Sequence, residues 1–465
     1  MTAGAFRDDI QGMRAIAVAG VVLFHAWPAA LPGGFTGVDV FFAISGFLIG
    51  GILRRNMAAG RFTLGDFYRR RLRRIVPALV VMVTVTLAVG AAILSPDAFA
   101  ELGRTAATSA VFVSNVDFYL HSGYFDRAAE LRPLLHTWSL SVEEQFYLVF
   151  PLALWVVMAR ARRRLVAVTL GAMLICLAWS QWQAVQAPAA AFFLSPARVF
   201  EFLLGALAAY APPPRRSREA LALAGLVMIA AGVWAISAAM PFPGLRALLP
   251  AGGAALLLWA GRGPGAGRVA RALSLRPLVM LGAISYSVYL WHWPIMAYLR
   301  ILSPHEPGAA VMAGAVVVSV LVGWLSWRWI EQPFARLAVG RAPVMAMGLG
   351  AIAVIAVAGT AVWQRDGMPG RFPAQTLAYF DSGADHSPWR ADCHRREGVV
   401  QGYAESCVLG GAEAAVVVWG TATGRSWRRP CRTRCRCGRS PGRPVRRCWG
   451  WISRGGRCAG VSTTR

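Results

Sequence analysis

Eleven apolar runs, each about as long as a bilayer is thick, occupy most of this chain and limit the folds open to it. A helix needs about 20 mostly apolar residues to cross the hydrocarbon core. The chain is 56% hydrophobic with a mean hydropathy of +0.49, which is too apolar for a soluble domain of 465 residues. The predicted spans are residues 10–28, 36–53, 76–94, 138–158, 165–183, 193–210, 219–237, 245–260, 277–300, 310–330 and 343–363.

Arginine clusters follow every even-numbered run, whereas the other loops contain few arginines. Between the second and third runs, for example, the segment from Arg54 to Arg74 holds eight arginines. By the positive-inside rule, we expect a cytoplasmic N-terminus and an extracytoplasmic segment after residue 363. The predicted fold class is therefore an all-α polytopic membrane protein with about eleven transmembrane helices and a short extracytoplasmic C-terminal remnant. The net charge of +26 follows from these loops and from the C-terminal tail, so it does not indicate a nucleic-acid partner.

Two ionisable residues, Arg14 and His25, lie inside the first apolar run, eleven residues apart. At about 100° per residue they return to nearly the same helix face, roughly 16 Å apart along the axis. An ionisable group in hydrocarbon costs about 2.5–3.5 kcal/mol on insertion scales, so such residues normally face a protein interior or a wet cavity. The sequence predicts a polar passage past both residues.

Six further stretches occur in a fixed order between residue 6 and about residue 336. Together they resemble the successive signatures of the membrane acyltransferase-3 family, whose members O-acylate surface carbohydrates. Each stretch alone is weak evidence for the family, whereas the six in this order are specific to it. The stretches are RDDIQGMRAIAVAGVVLFHA, GGFTGVDVFFAISGFLI, FYRRRLRRIVPAL, LLHTWSLSVEEQFYLVFP, ISYSVYLWHWP and WIEQPF.

The resemblance implies that His25 is the catalytic histidine of an Arg-x10-His motif. Arg14 is its predicted partner, which either orients the surroundings of His25 or holds an anionic part of the donor. Transfer to a sugar hydroxyl needs a base for the hydroxyl proton, and a group with a pKa near 7 is best suited to that task. A transient acyl carrier is a second role open to His25. Arg71, Arg73 and Arg74 are the predicted donor-binding residues, because guanidinium groups match the phosphates of acyl-CoA. Ordinary positive-inside anchoring is the alternative for these arginines.

Three carboxylates are predicted to support the acceptor. Asp39, near the outer end of the second run, either positions His25 or serves as a helix cap or ion-pair partner. Glu143 and Glu144 enter the membrane region from outside, where one of them is expected to pair with an arginine or bind the acceptor sugar.

Two other polar residues are given structural interpretations. His292, between two tryptophans, is interpreted as an interfacial anchor, and Glu331 as a structural residue. No metal site is predicted.

The tail after Gly420 does not continue the pattern that precedes it. In two-domain members of the family, a strand leads into the Gly-Asp-Ser of an SGNH-type hydrolase domain, whereas here VVVWG is followed by Thr421-Ala422-Thr423. These codons can be ACA-GCC-ACG, and the same bases read one position earlier after a G encode Asp-Ser-His. The tail has 13 arginines, five cysteines and no acidic residue. We hypothesise that it is read out of frame and disordered, which an intact frame found by sequencing across codon 420 would refute.

These observations divide the chain into four predicted parts. In the mixed polar segment, Cys393 and Cys407 are expected to form a disulfide if it lies outside the cytoplasm. The parts are an acyltransferase-3 membrane domain of about ten helices at 1–341, an eleventh helix at 342–364, a linker and first strand of a truncated SGNH-like domain at 365–420, and the tail at 421–465.

The resulting functional prediction is an integral O-acyltransferase of the bacterial inner (plasma) membrane. It is expected to move an acyl group, most simply acetyl, from cytosolic acyl-CoA to a hydroxyl of a cell-envelope carbohydrate such as lipopolysaccharide O-antigen or exopolysaccharide. Its partners are then acyl-CoA, the glycan and the lipid bilayer, without a bound cofactor. The alternative is a transporter or flippase, against which the two halves show no repeat. A non-enzymatic scaffold would leave Arg14 and His25 unexplained.

Overall fold

The computed structural model describes residues 7–122, 128–215, 217–262, 267–337, 339–384, 449–452 and 458–461. These residues form two compact units, 1–371 and 372–465, of which the first holds the membrane helices. The helices of the first unit are α1 Asp8–Ala26, α2 Gly37–Ala58, α3 Leu64–Ile93, α4 Pro96–Ala110, α5 Ser114–Leu120, α6 Thr137–Arg160, α7 Leu165–Gln186, α8 Pro188–Phe193, α9 Val199–Tyr210, α10 Arg218–Ala235, α11 Leu248–Ala260, α12 Arg268–Leu273, α13 Arg276–Ala283, α14 Ser285–Leu302, α15 Ala309–Ser326, α16 Gln332–Arg336 and α17 Arg341–Gln364.

The second unit contains helix α18, Ala374–Ala384, and two short strands, β1 Trp449–Ile452 and β2 Cys458–Val461. The strands pair antiparallel, with Trp449 opposite Val461. They lie within the tail that the sequence predicts to be disordered, and the rest of that tail lies outside the described residues. The predicted Cys393–Cys407 disulfide and the predicted strand VVVWG also lie outside the described residues.

Among the described residues, eight helices are long and apolar enough to cross a bilayer: α1, α2, α3, α6, α7, α10, α15 and α17. Three of the eleven predicted spans fall short of this criterion. The sixth is divided between α8 and α9 by a turn at Ser195–Ala197, the eighth is the short helix α11, and the ninth is divided between α13 and α14. All three runs are helical, so the pattern of apolar runs located the helices but did not determine how many of them cross the bilayer.

Two features of the fold differ from the sequence predictions. The third span was predicted to begin at residue 76, but α3 begins at Leu64, where the Thr63 hydroxyl caps the helix by accepting from the Asp66 amide. No helix was predicted between the third and fourth spans, but this segment contains α4 and α5, and α4 begins with a Ser95 cap followed by a proline. Capping residues start helices without any apolar run, so a search for apolar runs misses them.

Helices α2 and α9 pack backbone against backbone. A Cβ atom added to Gly46 would lie 1.8 Å from the Phe202 carbonyl oxygen, and one added to Gly205 would lie 1.9 Å from the Ala43 carbonyl oxygen. Small residues allow such close approach of membrane helices. The contact brings Asp39 of α2 beside the first turn of α9.

Substituting Gly205 with alanine is expected to destabilise the protein by about 1–3 kcal/mol, because a backbone carbonyl must move to admit the methyl group. The matched control is Gly171→Ala in α7, where nothing lies within 4 Å of the added Cβ. Both substitutions gain the same helix propensity, so their difference reports the packing. Thermal unfolding in detergent micelles, followed by tryptophan fluorescence, measures it. Equal unfolding temperatures for the two variants would contradict the close contact.

Candidate active site

His25 lies in the last turn of α1 with one edge partly exposed. Its Nδ1 is 3.1 Å from Nε2 of His292 in α14, and the two rings are nearly parallel, with an interplanar angle of 18°. The indole of Trp293 meets the His25 ring edge-on at a centroid distance of 4.4 Å. The predicted catalytic histidine therefore sits between aromatic side chains and has a second imidazole as its polar partner.

His292 is completely buried, so its interpretation as an interfacial anchor is wrong. Its Nδ1 donates to the Tyr289 carbonyl oxygen at 2.7 Å, one helical turn earlier in α14. The ring of His136, at the start of α6, lies edge-on to it at 5.8 Å. Helix α14 also holds the end of α1, because Arg300 donates to the His25 carbonyl oxygen at 2.7 Å. Guanidinium groups commonly satisfy the last carbonyls of a helix in this way.

Arg14 lies eleven residues before His25 on α1 and does not contact it. By helical rise the two are roughly 16 Å apart. The Arg14 guanidinium donates to the Gln11 side chain at 3.2 Å, and in the described part of the chain it has no carboxylate within 4 Å. Arg74, Glu331 and Glu143 lie within electrostatic range of it. Two small cavities in the described part of the chain are lined by other residues. The polar passage past Arg14 and His25 thus stays a prediction.

The glutamates of α6 meet the arginines of α3. Arg71 forms an ion pair with Glu144 at 2.6 Å, and its guanidinium lies 3.4 Å from the centre of the Tyr147 ring. Glu143 accepts from the Ser45 hydroxyl at 2.5 Å and from the Tyr147 hydroxyl. The expectation that one glutamate pairs with an arginine is confirmed by this geometry. Arg71, predicted to bind the donor, and Glu144, predicted to support the acceptor, therefore belong to one cluster.

The other two predicted donor residues have different surroundings. Arg73 donates to the Leu337 carbonyl oxygen at 2.7 Å, which ties α3 to the end of α16. Arg74 is exposed, and no carboxylate among the described residues comes within 4 Å of its guanidinium. Of the three predicted donor arginines, Arg74 therefore has the guanidinium most open to a ligand.

Asp39 does not contact His25; of the roles predicted for it, the structure shows that of an ion-pair partner. It forms an ion pair with Arg198 at 3.0 Å, and Arg198 also binds Glu201 at 3.2 Å. All three side chains are at most 1% exposed, and the guanidinium lies 5.3 Å from the Trp138 ring centre. The sequence analysis missed Arg198 and Glu201, although two charged residues three apart in the sixth apolar run were an available signal.

Glu331 is buried at the end of a π-helical turn, Trp327–Glu331, which joins α15 to α16. Its carboxylate accepts from the Ser287 hydroxyl of α14 at 3.0 Å and lies within electrostatic range of Arg14 and Arg74. π-turns are rare and are frequent at functional sites. Beyond its structural bond to α14, Glu331 places a carboxylate beside the two arginines.

Comparisons with known proteins show which family the chain resembles. Residues 7–328 match the family model of the acyltransferase-3 domain, described as an acyltransferase domain. A putative membrane-bound transacylase, BcsY of Komagataeibacter xylinus, is 36% identical over 327 residues, which are 69% of this chain and 81% of that protein. Peptidoglycan O-acetyltransferase OatA of Listeria monocytogenes is 31% identical over 67% of this chain, and O-acetyltransferase OatA of Staphylococcus aureus is 30% identical over 63%.

The chain spans about half the length of those two O-acetyltransferases, 53% and 51%. No solved structure shows a significant match. The family model covers more than half of the chain and includes every predicted site residue. With its apolar helices and its relatives named as acyltransferases, the chain belongs to the acyltransferase-3 family and is a membrane acyltransferase.

Proposed function

We propose that the protein transfers an acyl group, most simply acetyl, from cytosolic acyl-CoA to a hydroxyl of a cell-envelope carbohydrate. The observation that carries this proposal is the half-buried His25 at the outer end of α1, backed by His292, with the arginines of a donor site further inward. A carbohydrate acceptor is supported by the Listeria relative, whose name specifies peptidoglycan. Lipopolysaccharide O-antigen and exopolysaccharide are acceptors of the same chemistry.

The donor site is centred on Arg14 and Arg74. These like charges lie within electrostatic range of each other, and among the described residues neither has a carboxylate within 4 Å. An anionic ligand between them relieves their repulsion, and the phosphates of acyl-CoA supply one. In acyl-CoA a long flexible arm separates the phosphates from the thioester. This matches a phosphate site and a reacting histidine that are roughly 16 Å apart along α1.

At the outer end, His25 takes the proton of the acceptor hydroxyl as the oxygen attacks the thioester carbonyl. The new carbon–oxygen ester bond forms, the carbon–sulfur bond breaks, and the proton passes to the departing CoA thiolate. The histidine is thus restored in each cycle. A positioned general base of this kind contributes about 10²–10⁴-fold to a rate.

The arginine pattern supports the proposed placement in the bacterial inner membrane, with eleven spans, a cytoplasmic N-terminus and a C-terminal segment outside. We propose that the C-terminal segment is the beginning of an SGNH-type domain that is lost after Gly420. If that domain passes the acyl group to the final acceptor, the protein is impaired at this last step. The envelope glycans are therefore the decisive material to analyse.

Mass spectrometry of envelope glycans from cells with and without the gene tests the proposed function. Added acyl mass that depends on the gene is the expected result. Release of CoA from acetyl-CoA by the purified protein in vesicles, with a soluble sugar acceptor, tests the transfer without the outer domain. Glycans unchanged in mass, together with no release of CoA, would overturn the proposal.

Substituting Arg74 with alanine is expected to raise the KM for acetyl-CoA about 10- to 100-fold, since a charge-assisted hydrogen bond contributes about 1.5–3 kcal/mol. Arg74→Lys keeps the charge and should retain part of the affinity. Arg160→Ala, at the exposed end of α6, is the control for loss of one basic residue. Initial rates of CoA release against acetyl-CoA concentration give the KM values. A KM for Arg74→Ala equal to that of Arg160→Ala would place the donor elsewhere.

A further inference from the structure

In the hydrogen bond between His25 and His292, the neighbouring groups determine which ring is the donor. The two nitrogens are 3.1 Å apart while the ring centroids are 5.3 Å apart, so the nitrogens point toward each other. With ring planes only 18° apart, this is a hydrogen bond between ring edges. One nitrogen must then carry a hydrogen and the other a lone pair.

The Tyr289 carbonyl oxygen decides which nitrogen is the donor. A carbonyl oxygen can only accept, so Nδ1 of His292, 2.7 Å away, must carry a hydrogen. In a neutral imidazole the other nitrogen then has the lone pair, so Nε2 of His292 accepts from His25. Nδ1 of His25 therefore carries a hydrogen, and Nε2 of His25 is left with a lone pair.

This assignment requires both imidazoles to be neutral, and the surroundings of His292 favour that state. The side chain is completely buried, and charge on a buried group is costly without a partner. Its ring neighbours are His25, His136, Tyr289 and Trp293, none of which is a carboxylate. Arg300, which pairs with the exposed Glu306, brings a cation to the His25 carbonyl oxygen.

We propose that His292 is a positioning residue that fixes the tautomer of His25, so that His25 presents the lone pair of Nε2 to the acceptor hydroxyl. This inference rests on the proposed function for its catalytic consequence, but not for the tautomer itself. When Nε2 takes the proton, the Nδ1–H of the resulting imidazolium is bonded to Nε2 of His292. Without His292, His25 divides between two neutral tautomers, and in one of them Nε2 cannot accept a proton.

The tautomer is measured directly by ¹⁵N NMR of the full-length protein, labelled at its histidines, in lipid nanodiscs at a pH where the imidazoles are neutral. Comparison with His25→Gln assigns the His25 signals. We expect a protonated Nδ1 and a bare Nε2 for His25, and a mixture of tautomers in His292→Leu. Protonation of Nε2 in the wild type, or the same tautomer in His292→Leu, would overturn the proposal whether or not the protein proves to be an acyltransferase.

Two polar substitutions separate the positioning role from packing. The amide oxygen of glutamine reaches the place of Nε2 and can accept from His25, whereas asparagine is shorter and keeps only the group near Nδ1. We expect His292→Gln to retain kcat, and His292→Asn to lower it about tenfold or more with the KM for acetyl-CoA unchanged, as for other residues that orient a catalytic imidazole. His305→Gln, on an exposed loop, is the control. Equal kcat losses in the glutamine and asparagine variants would show that His292 acts through packing alone.

Discussion

Substitution of His25 by alanine is expected to lower glycan acylation by about 10²–10⁴-fold, the usual contribution of a general base. Among the described residues, the half-buried side chain is hydrogen-bonded only to His292 and packs against Phe24 and Trp293, so its loss should leave the helix packing intact. The measurement is the acyl content of envelope glycans by mass spectrometry, in cells that produce equal amounts of the wild type and the variant. His25→Gln should be equally inactive, because an amide cannot accept the hydroxyl proton.

The control for this experiment is His305→Ala, which removes an exposed histidine from the loop after α14. Its acylation should equal that of the wild type. Unchanged acylation in a folded His25→Ala variant would exclude His25 as the base. In that case the chemistry would have to be assigned to another part of the membrane domain.

The largest effect on stability is expected at Arg198, which neutralises Asp39 and Glu201 in a buried cluster. Breaking a buried ion pair by removing one partner costs about 3–5 kcal/mol, because the remaining charge is left uncompensated. Arg198→Met leaves two carboxyl groups next to each other without a cation, so we expect a loss at the upper end of this range. Thermal unfolding in detergent micelles, with and without added lipid, measures it.

The excess of carboxyl groups over guanidinium groups in this cluster allows a sharper test of the ion pairs. One guanidinium faces two carboxyl groups, so Glu201→Gln leaves a neutral Arg198–Asp39 pair and should cost much less than Arg198→Met. Arg160→Met, at an exposed helix end, is the control for replacing arginine by methionine and should change little. The cluster would not have the proposed charge balance if Glu201→Gln were as destabilising as Arg198→Met.

The sequence located most of the membrane helices, because burial in lipid requires apolar residues at nearly every position and such runs are visible without a structure. The same reasoning singled out Arg14 and His25, since ionisable residues stand out in an apolar run, and their roles remain predictions. It also anticipated an ion pair for the α6 glutamates, and Glu144 bonds to Arg71. Both inferences rest on cost, because a charge in hydrocarbon must have a partner or a function.

Residues that depend on long-range contacts were harder to assign. His292 lies 267 positions from His25, and no local pattern shows that α14 packs against the end of α1. For the same reason the sequence could not choose between His25 and an ion-pair partner for Asp39, whereas the close packing of α2 on α9 at Gly46 and Gly205 places it beside Arg198. The short helices α4 and α5 were missed because cap residues and tertiary packing form them.

Helix α14 is hydrogen-bonded to α1 at two places: Arg300 binds the main chain of His25, and His292 binds its side chain. A residue held through both its backbone and its ring has little freedom to reorient. In the proposed reaction, the proton-accepting nitrogen of His25 therefore keeps one direction, whichever acceptor hydroxyl is presented to it.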